Sequence, residues 1–346
     1  MGNIVQIEND VKAIISSLKQ SSIDYADLRV LITGGAGFLG SYICDVLIEM
    51  GATVVCVDNL SSGRLENIQD LIDQKEDQFT FIRQDIVDAS VLEIEDQFNI
   101  ILHLASRAAP MEFEKYPIAI LSTNTIGTMN ALELAKQSNA KILFTSTSET
   151  YGDPDPQFVP TNESYPGSVI STGIRSCYEE GKRSGEAFMA AYQRQYGINT
   201  RIVRIFNTYG PRIRADGVYG RVVPRFVSQA LIGDPITVFG DGDQTRSFSY
   251  VTDTVEGILR AAILDSASGE IFNIGNDKEM TVLQLAKIVK EQTNSDSEFV
   301  FSKLPEGDPK RRCPNVTKAK TILNWSPKVD LYTGLKNFIS WVFELK

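Results

Sequence analysis

The chain has 346 residues, more than one small core needs, and this length suits one large or two intimate domains. Its 42% hydrophobic and 23% charged residues fit an ordinary globular protein, and a net charge of -10 argues against a general nucleic-acid surface, which would be basic. A small anionic ligand gripped by a local group of arginines stays open.

The N-terminal stretch "MGNIVQIENDVKAIISSLKQ" lacks a basic region followed by a long apolar one, so it does not read as a signal peptide. Val11, Ile14, Ile15 and Leu18 recur at helical spacing and predict a helical extension over 1–27. No run reaches the roughly 18 apolar residues of a membrane span, so no membrane partner is expected.

From Leu28 to Ile205 apolar β-type runs alternate with helical stretches. "RVLITGG", "TVVCVDN", "QFTFIRQD", "NIILHLAS", "KILFTSTS" and "NTRIVRIFN" are the predicted strands. Alternation of this kind predicts β-α-β units and a doubly wound parallel sheet, and nearly all-apolar strands suit a sheet covered on both faces. The fold class is therefore α/β, with a dinucleotide-binding domain over 28–210 and a returning segment near 246–262. Residues 211–346 read as a smaller mixed α/β domain, mainly for substrate. There a short helix and Gly-rich turns precede a helix over 282–292, a strand near "SEFVFSK", a basic turn "DPKRRCPN" and two closing helices. No internal repeat or flexible linker separates the two parts, so a ligand pocket between them is expected.

The four cysteines, Cys44, Cys56, Cys177 and Cys313, share no C-x-x-C spacing. They indicate neither a metal site nor a redox pair, and they suit a reducing compartment, the cytoplasm.

"TGGAGFLG" (Thr33 to Gly40) joins a strand to a helix, with Gly34, Gly37 and Gly40 spaced by threes. Glycine permits a tight turn and close approach of backbone to a pyrophosphate, which the helix N-terminus then receives. Phe38 and Leu39 belong to the same loop. Asp58 ends the second strand 18 residues after Gly40, where a carboxylate accepts hydrogen bonds from an adenosine ribose and repels a 2′-phosphate. The cofactor read from this pattern is NAD; Arg64 nearby is the feature that would suit a phosphate, and capping is the ordinary alternative for Asp58. Asn59, Asp85 and Ile86 follow strand ends where adenine would lie. Leu104, Ala105 and Ser106 end the fourth strand with small residues that let backbone approach the ligand. His103 is the single histidine, set among apolar neighbours, and reads as packed in its strand, so the base is sought elsewhere.

In "CYEEGKRSGEAFMAAY", Tyr178 and Lys182 stand four apart and share a helix face. A phenol with a pKa of about 10 is a weak base at neutral pH, and a nearby ammonium is expected to lower it. The same lysine suits a hydrogen bond to the nicotinamide ribose. A Tyr-x-x-x-Lys pair on its own is often mere helix surface; beside the glycine loop it is specific.

With these residues in hand, the chain resembles the extended short-chain dehydrogenase/reductase superfamily of nucleotide-sugar enzymes over about residues 28–340. The resemblance rests on "TGGAGFLG", "VDNLSSGRLENI", "HLAS", "STNTIGTMNALELAK", "STSETYGDP", "CYEEGKR", "RIFNTYGPR" and "QTRSFSYVTD". It implies that Tyr178 is the acid/base, that Lys182 assists it, and that Thr147 and Ser148 bind the sugar hydroxyl, with strand-end capping as their ordinary alternative. Within the superfamily, "TSETYGDP" and "CYEEGKR" look most like the UDP-glucuronate decarboxylases, makers of UDP-xylose. That likeness implies catalytic roles for Glu149 and, aligned on the proline of "KRRCPN", for Arg312. It also implies a homodimer paired through the helices near "TNTIGTMNALELAKQ" and "YEEGKRSGEAFMAAYQRQ". The chain departs from the subgroup at "HLASRAAPMEFEKYP", where Arg107 and Glu112 or Glu114 stand near the sugar.

Asn207, Arg175, Arg221 and Arg246 are the remaining candidates for a UDP-sugar, since arginine grips phosphate in a bidentate way; each could equally be a solvated cation. The expected function is NAD-dependent decarboxylation of UDP-glucuronate through a 4-keto intermediate. A nucleotide-sugar 4-epimerase, a 4-dehydrogenase or dehydratase, and a non-catalytic NAD-binding protein are the alternatives.

Overall fold

The computed structural model describes residues 2–94, 96–214, 221–304 and 308–344. The irregular stretch at 215–220 and three residues ahead of the basic turn lie outside them. Helix α1 (Gly2–Gln20) precedes strand β1 (Arg29–Thr33), helix α2 (Phe38–Glu49), strand β2 (Thr53–Val57), helix α3 (Gln69–Gln74) and strand β3 (Phe79–Ile82). Strand β4 (Ile100–His103), helices α4 (Pro117–Ser122) and α5 (Thr128–Ser138), strand β5 (Lys141–Thr147), helix α6 (Ser176–Tyr196) and strand β6 (Thr200–Ile205) complete the first half. A π-helical turn, Thr123–Gly127, joins α4 to α5.

The second half begins with strand β7 (Thr208–Tyr209), helix α7 (Val222–Ile232) and strands β8 (Ile236–Phe239), β9 (Thr245–Ser247) and β10 (Ser249–Tyr250). Helix α8 (Val251–Ile263), strands β11 (Ile271–Ile274) and β12 (Glu279–Thr281), helix α9 (Val282–Gln292) and strand β13 (Phe299–Ser302) follow. Strand β14 (Arg311–Arg312) and helices α10 (Thr317–Ile322) and α11 (Leu331–Glu344) close the chain.

Seven parallel strands form the central sheet in the order β11-β6-β5-β4-β1-β2-β3. This is the doubly wound arrangement the alternating pattern predicts. The strand order reverses between β1 and β4, and ligands of such sheets bind outside the carboxyl ends at that point. Local sequence sets the element ends. Gly51 and Gly197 follow α2 and α6 with φ of 86° and 70°, a conformation that a Cβ disfavours. Thr281 and Gln284 form a capping box at the start of α9.

Three features differ from the sequence reading. The chain returns to the central sheet through α8 and then β11, beyond the expected 246–262 segment, because the edge of β6 needs a hydrogen-bonded partner. The N-terminal helix is part of the main core: Ile14 and Leu18 are buried, and Asp10 accepts hydrogen bonds from Tyr42 (3.1 Å) and Tyr250 (2.8 Å). The basic turn contains a short strand, β14, paired parallel with β9 and fastened by Arg311 to Glu279 at 2.7 Å.

Candidate active site

The glycine loop leaves β1 at the switch point. Gly34 has φ 76°, and a Cβ there would lie 2.8 Å from the Ala105 Cα, so loop and β4 end meet backbone to backbone. Gly40 is equally closed, since its Cβ would fall 2.2 Å from the Gly34 carbonyl oxygen. Gly37 is the N-cap of α2, and no side chain caps that end, which leaves its first amides without a side-chain acceptor. A cradle of this form fits a dinucleotide pyrophosphate. Phe38 and Leu39 pack partly against the core.

Asp58 ends β2, with its oxygens accepting from the amides of Ala36 (3.0 Å) and Leu60 (2.8 Å). Burial raises its pKa, and those two bonds oppose the rise. The carboxylate therefore organises the loop it faces. Asn59 donates to Asp85 at 2.8 Å, bridging the ends of β2 and β3. Ile86 is a core residue: its side chain is buried under Gly127, and its carbonyl accepts from Asn130 at 2.8 Å. Asp85 and Asn59 thus form a polar bridge between the two strand ends, while Ile86 is buried. Leu104 and Ser106 are half-buried beside Ala105.

His103 is fully buried between Thr33 (2.7 Å from Nδ1) and Thr128 (3.2 Å from Nε2), and burial lowers its pKa to about 3. It is a neutral, packed imidazole, as its apolar neighbours predict.

Helix α6 lies along the end of β5. Tyr178 is 7% exposed and meets the Thr147 hydroxyl, and Lys182 is 2% exposed with Nζ donating to the Thr145 carbonyl at 2.7 Å. The lowered tyrosine pKa expected beside the lysine is not the net result here. Burial raises the Tyr178 pKa, opposed by the Thr147 hydrogen bond and the charges of Arg221 and Arg175. Lys182 is itself lowered to about 7 by burial. Both groups sit in a dry site, where neither holds its charge at ease.

Glu149 follows Thr147 and Ser148 on a 3₁₀ turn, Ser148–Tyr151, for which Thr147 Oγ1 accepts the Glu149 amide at 3.2 Å. The Thr147 hydroxyl that caps this turn is also the one that meets Tyr178. Arg175 and Arg312 each form an ion pair with the Glu149 carboxylate, one on each oxygen. Burial alone would raise the Glu149 pKa; the two guanidinium groups overcome it and leave the acid below its ordinary value. Arg175 is also shared with Glu179 at 2.8 Å. Arg246 pairs with Asp308 at 2.8 Å, and its charge acts on Arg312 and Glu149. Asn207 donates weakly to the Ser247 carbonyl at 3.4 Å. Arg107 pairs with Glu112 at 2.6 Å and lies over the Tyr116 ring, which resolves the choice between Glu112 and Glu114 as its neighbour.

The structure therefore brings Thr147, Glu149, Arg175, Tyr178, Lys182, Arg221 and Arg312 into one cluster. Ser148 is buried beside it. Sequence reading missed Phe113, whose buried ring stacks on Tyr178 at 5.1 Å, 16° from parallel. It arrives on an irregular strap, and no local pattern marks it. It also missed Glu186, for which the i+4 spacing from Lys182 was the available signal.

A doubly wound parallel sheet with a glycine cradle at its switch point, and a Tyr-x-x-x-Lys helix against the end of β5, defines a Rossmann-type dehydrogenase/reductase scaffold. Residues 30–275 match the NAD dependent epimerase/dehydratase family. The chain is 46% identical over 320 residues to UDP-glucuronic acid decarboxylase 2 of Arabidopsis thaliana, covering 91% of this chain and 69% of that protein. Its structure resembles the UDP-glucose 4-epimerase of Thermotoga maritima with UDP-glucose (TM-score 0.84, 35% identity, 92% and 99% of the two chains). It also resembles the UDP-glucuronic acid 4-epimerase of Bacillus cereus in complex with UDP-glucuronic acid and NAD (TM-score 0.82, 29% identity, 92% and 100%). The chain belongs to the NAD dependent epimerase/dehydratase family.

Proposed function

We propose that the chain converts UDP-glucuronate to UDP-xylose and carbon dioxide with tightly held, recycled NAD. The observation that carries this reading is Glu149 paired with Arg175 and Arg312 beside Thr147 and Tyr178, in a chain 46% identical to a UDP-glucuronic acid decarboxylase. A 4-epimerisation needs only the tyrosine, lysine and hydroxyl. Loss of a carboxyl group at carbon 5 calls for further charge beside that carbon, and this cluster supplies it.

Gly34, Gly37 and Asp58 would hold NAD, which would supply a reversible hydride acceptor for sugar carbon 4. Tyr178 removes the proton of the 4-hydroxyl, and Thr147 holds that oxygen. The resulting 4-ketone is β to the carboxylate, so carbon dioxide leaves with the ketone as electron sink. Tyr178 and Thr147 donate to the enolate oxygen, and such donors contribute about 2.7–4 kcal/mol each. Glu149 and Arg312 orient the carboxylate region and direct the proton that arrives at carbon 5. Arg221, Arg246, Arg107 and Asn207 are the candidates for the diphosphate and sugar oxygens, between the 28–210 and 211–346 parts.

The reading includes a homodimer. Ile118 (73% exposed), Leu121, Ile126 and Met129 present apolar side chains on the α4–α5 face, which supports a second copy there. The four cysteines are free and buried, in keeping with a reducing compartment such as the cytoplasm. No helix among the described residues is long and apolar enough to cross a membrane.

Incubation with UDP-glucuronate and NAD tests the assignment. Carbon dioxide and a UDP-pentose are expected. A product of unchanged mass would mean 4-epimerisation, and a stable ketone would mean dehydrogenation; either overturns the reading.

A further inference from the structure

Helix α6 carries a third functional side chain on the face that presents Tyr178 and Lys182. Glu186 stands four residues beyond Lys182. Its carboxylate accepts from Ser146 Oγ at 2.5 Å and from Arg204 Nε and Nη2 at 2.8 and 2.6 Å. Ser146 and Arg204 are register partners across β5 and β6. Ser146 also lies between the two strand residues the reaction uses: Thr145, whose carbonyl receives Lys182, and Thr147, whose hydroxyl meets Tyr178. Three consecutive residues of one strand thus hold three side chains spaced i, i+4, i+8 on one helix.

We propose that Glu186, fixed by Ser146 and Arg204, is a positioning residue that sets the charge on Lys182 and through it the strength of Tyr178 as a base. The proposal rests on the reading of Tyr178 as the acid/base. Lys182 shares its cluster with Glu149 and three arginines, yet it feels chiefly the charge of Glu186. From β4 it faces His103, which is neutral; from β5 the Phe144 ring, 4.7 Å from Nζ; from α6 Tyr178 and Glu186; and from β6, behind Glu186, Arg204. Burial drives the ammonium toward its neutral form, and Glu186 is the carboxylate that opposes this. Arg204 moderates that influence by sharing the carboxylate, and it is itself anchored on the Glu163 carbonyl (3.1 Å) and over the Tyr151 ring (4.7 Å). On this proposal Glu186 and Arg204 act on Lys182 with opposite signs, which separates an electrostatic role from a purely structural one.

The test is an NMR titration of Lys182 in the full-length protein with carbon-13-labelled lysine, the signal assigned with Lys182→Met. Glu186→Gln should lower the proton affinity of Lys182 roughly tenfold, and Arg204→Gln should raise it. The alkaline limb of NADH formation on substrate addition should move in the same direction in each variant. An unmoved titration in Glu186→Gln, or a shift of the same sign in both variants, overturns the proposal. If either variant fails to fold, Ser146→Ala removes one hydrogen bond from Glu186 and should raise the proton affinity of Lys182; no change or a fall overturns the proposal. The titration needs no substrate. A wild-type protein that releases no carbon dioxide from UDP-glucuronate would sink the functional assignment and leave this result standing.

Discussion

At the residue scale, Glu149 shows how one carboxylate is kept ionised in a dry pocket. Arg175 and Arg312 outweigh its desolvation, and removal of either partner or of Glu149 leaves buried charge uncompensated. Glu149→Gln should retain NADH formation more than carbon dioxide release, because Tyr178, Thr147 and Lys182 are untouched. It should also cost about 3 kcal/mol of stability, read by chemical denaturation, since two guanidinium groups lose their shared partner. Equal losses in both half-reactions would return Glu149 to a structural part. Tyr178→Phe removes the proposed acid/base and should abolish NADH formation on addition of UDP-glucuronate. Retained turnover would show that the proton is taken elsewhere.

At the element scale, the loop between β1 and α2 and the helix α1 make different demands. The loop requires close approach: at Gly34 a methyl group meets the Ala105 backbone and the φ of 76° disfavours any side chain. Gly34→Ala should weaken NAD binding roughly tenfold or more, measured by calorimetry, from about 1–3 kcal/mol of backbone strain. Helix α1 instead inserts a buried acid between α2 and the start of α8. Burial raises the Asp10 pKa from 3.8 to about 6, against the hydrogen bonds from Tyr250, Gln6 and Tyr42. A folded state that holds a proton more tightly than the unfolded chain has that stabilisation in full below pH 3.8 and loses it as pH rises through about 6. Asp10→Asn is neutral throughout, so its melting temperature should gain on wild type as pH rises from about 4 to 7. A difference constant over that range would show that the carboxylate is not buried against α2 and α8 in solution.

At the scale of the whole molecule, residues far apart in sequence converge beyond the carboxyl end of β5, an interior strand of the sheet. Glu149 comes from β5's end, Arg175 from the approach to α6, Arg312 from β14, and Arg246 from β9. Strand β14 is held in place by pairing with β9 and by the Arg311–Glu279 bridge. Ligands that bind both halves should stabilise the fold as a unit. At a hundredfold excess over its dissociation constant, a ligand adds about 2.7 kcal/mol. UDP-glucuronate with NAD should therefore raise the melting temperature more than either alone. If UDP-glucuronate gives no shift in the presence of NAD, the sugar-nucleotide site is misassigned.

The chain's own pattern determined a good deal. Strand and helix periods gave the parallel α/β sheet, the glycine spacing gave the loop, and the i+4 pair Tyr178 and Lys182 marked the helix that packs against the end of β5, because each is a short-range feature written in consecutive residues. Tertiary structure alone decided the rest. It supplied β11 to the sheet, drew α1 into the core and laid Phe113 on Tyr178. It also set which arginines hold Glu149, and it buried Tyr178 so that its pKa rises where a fall was expected. Desolvation and charge depend on what surrounds a group in space, and for Glu149 those surroundings come from residues 26 and 163 positions away. No local period encodes such distances.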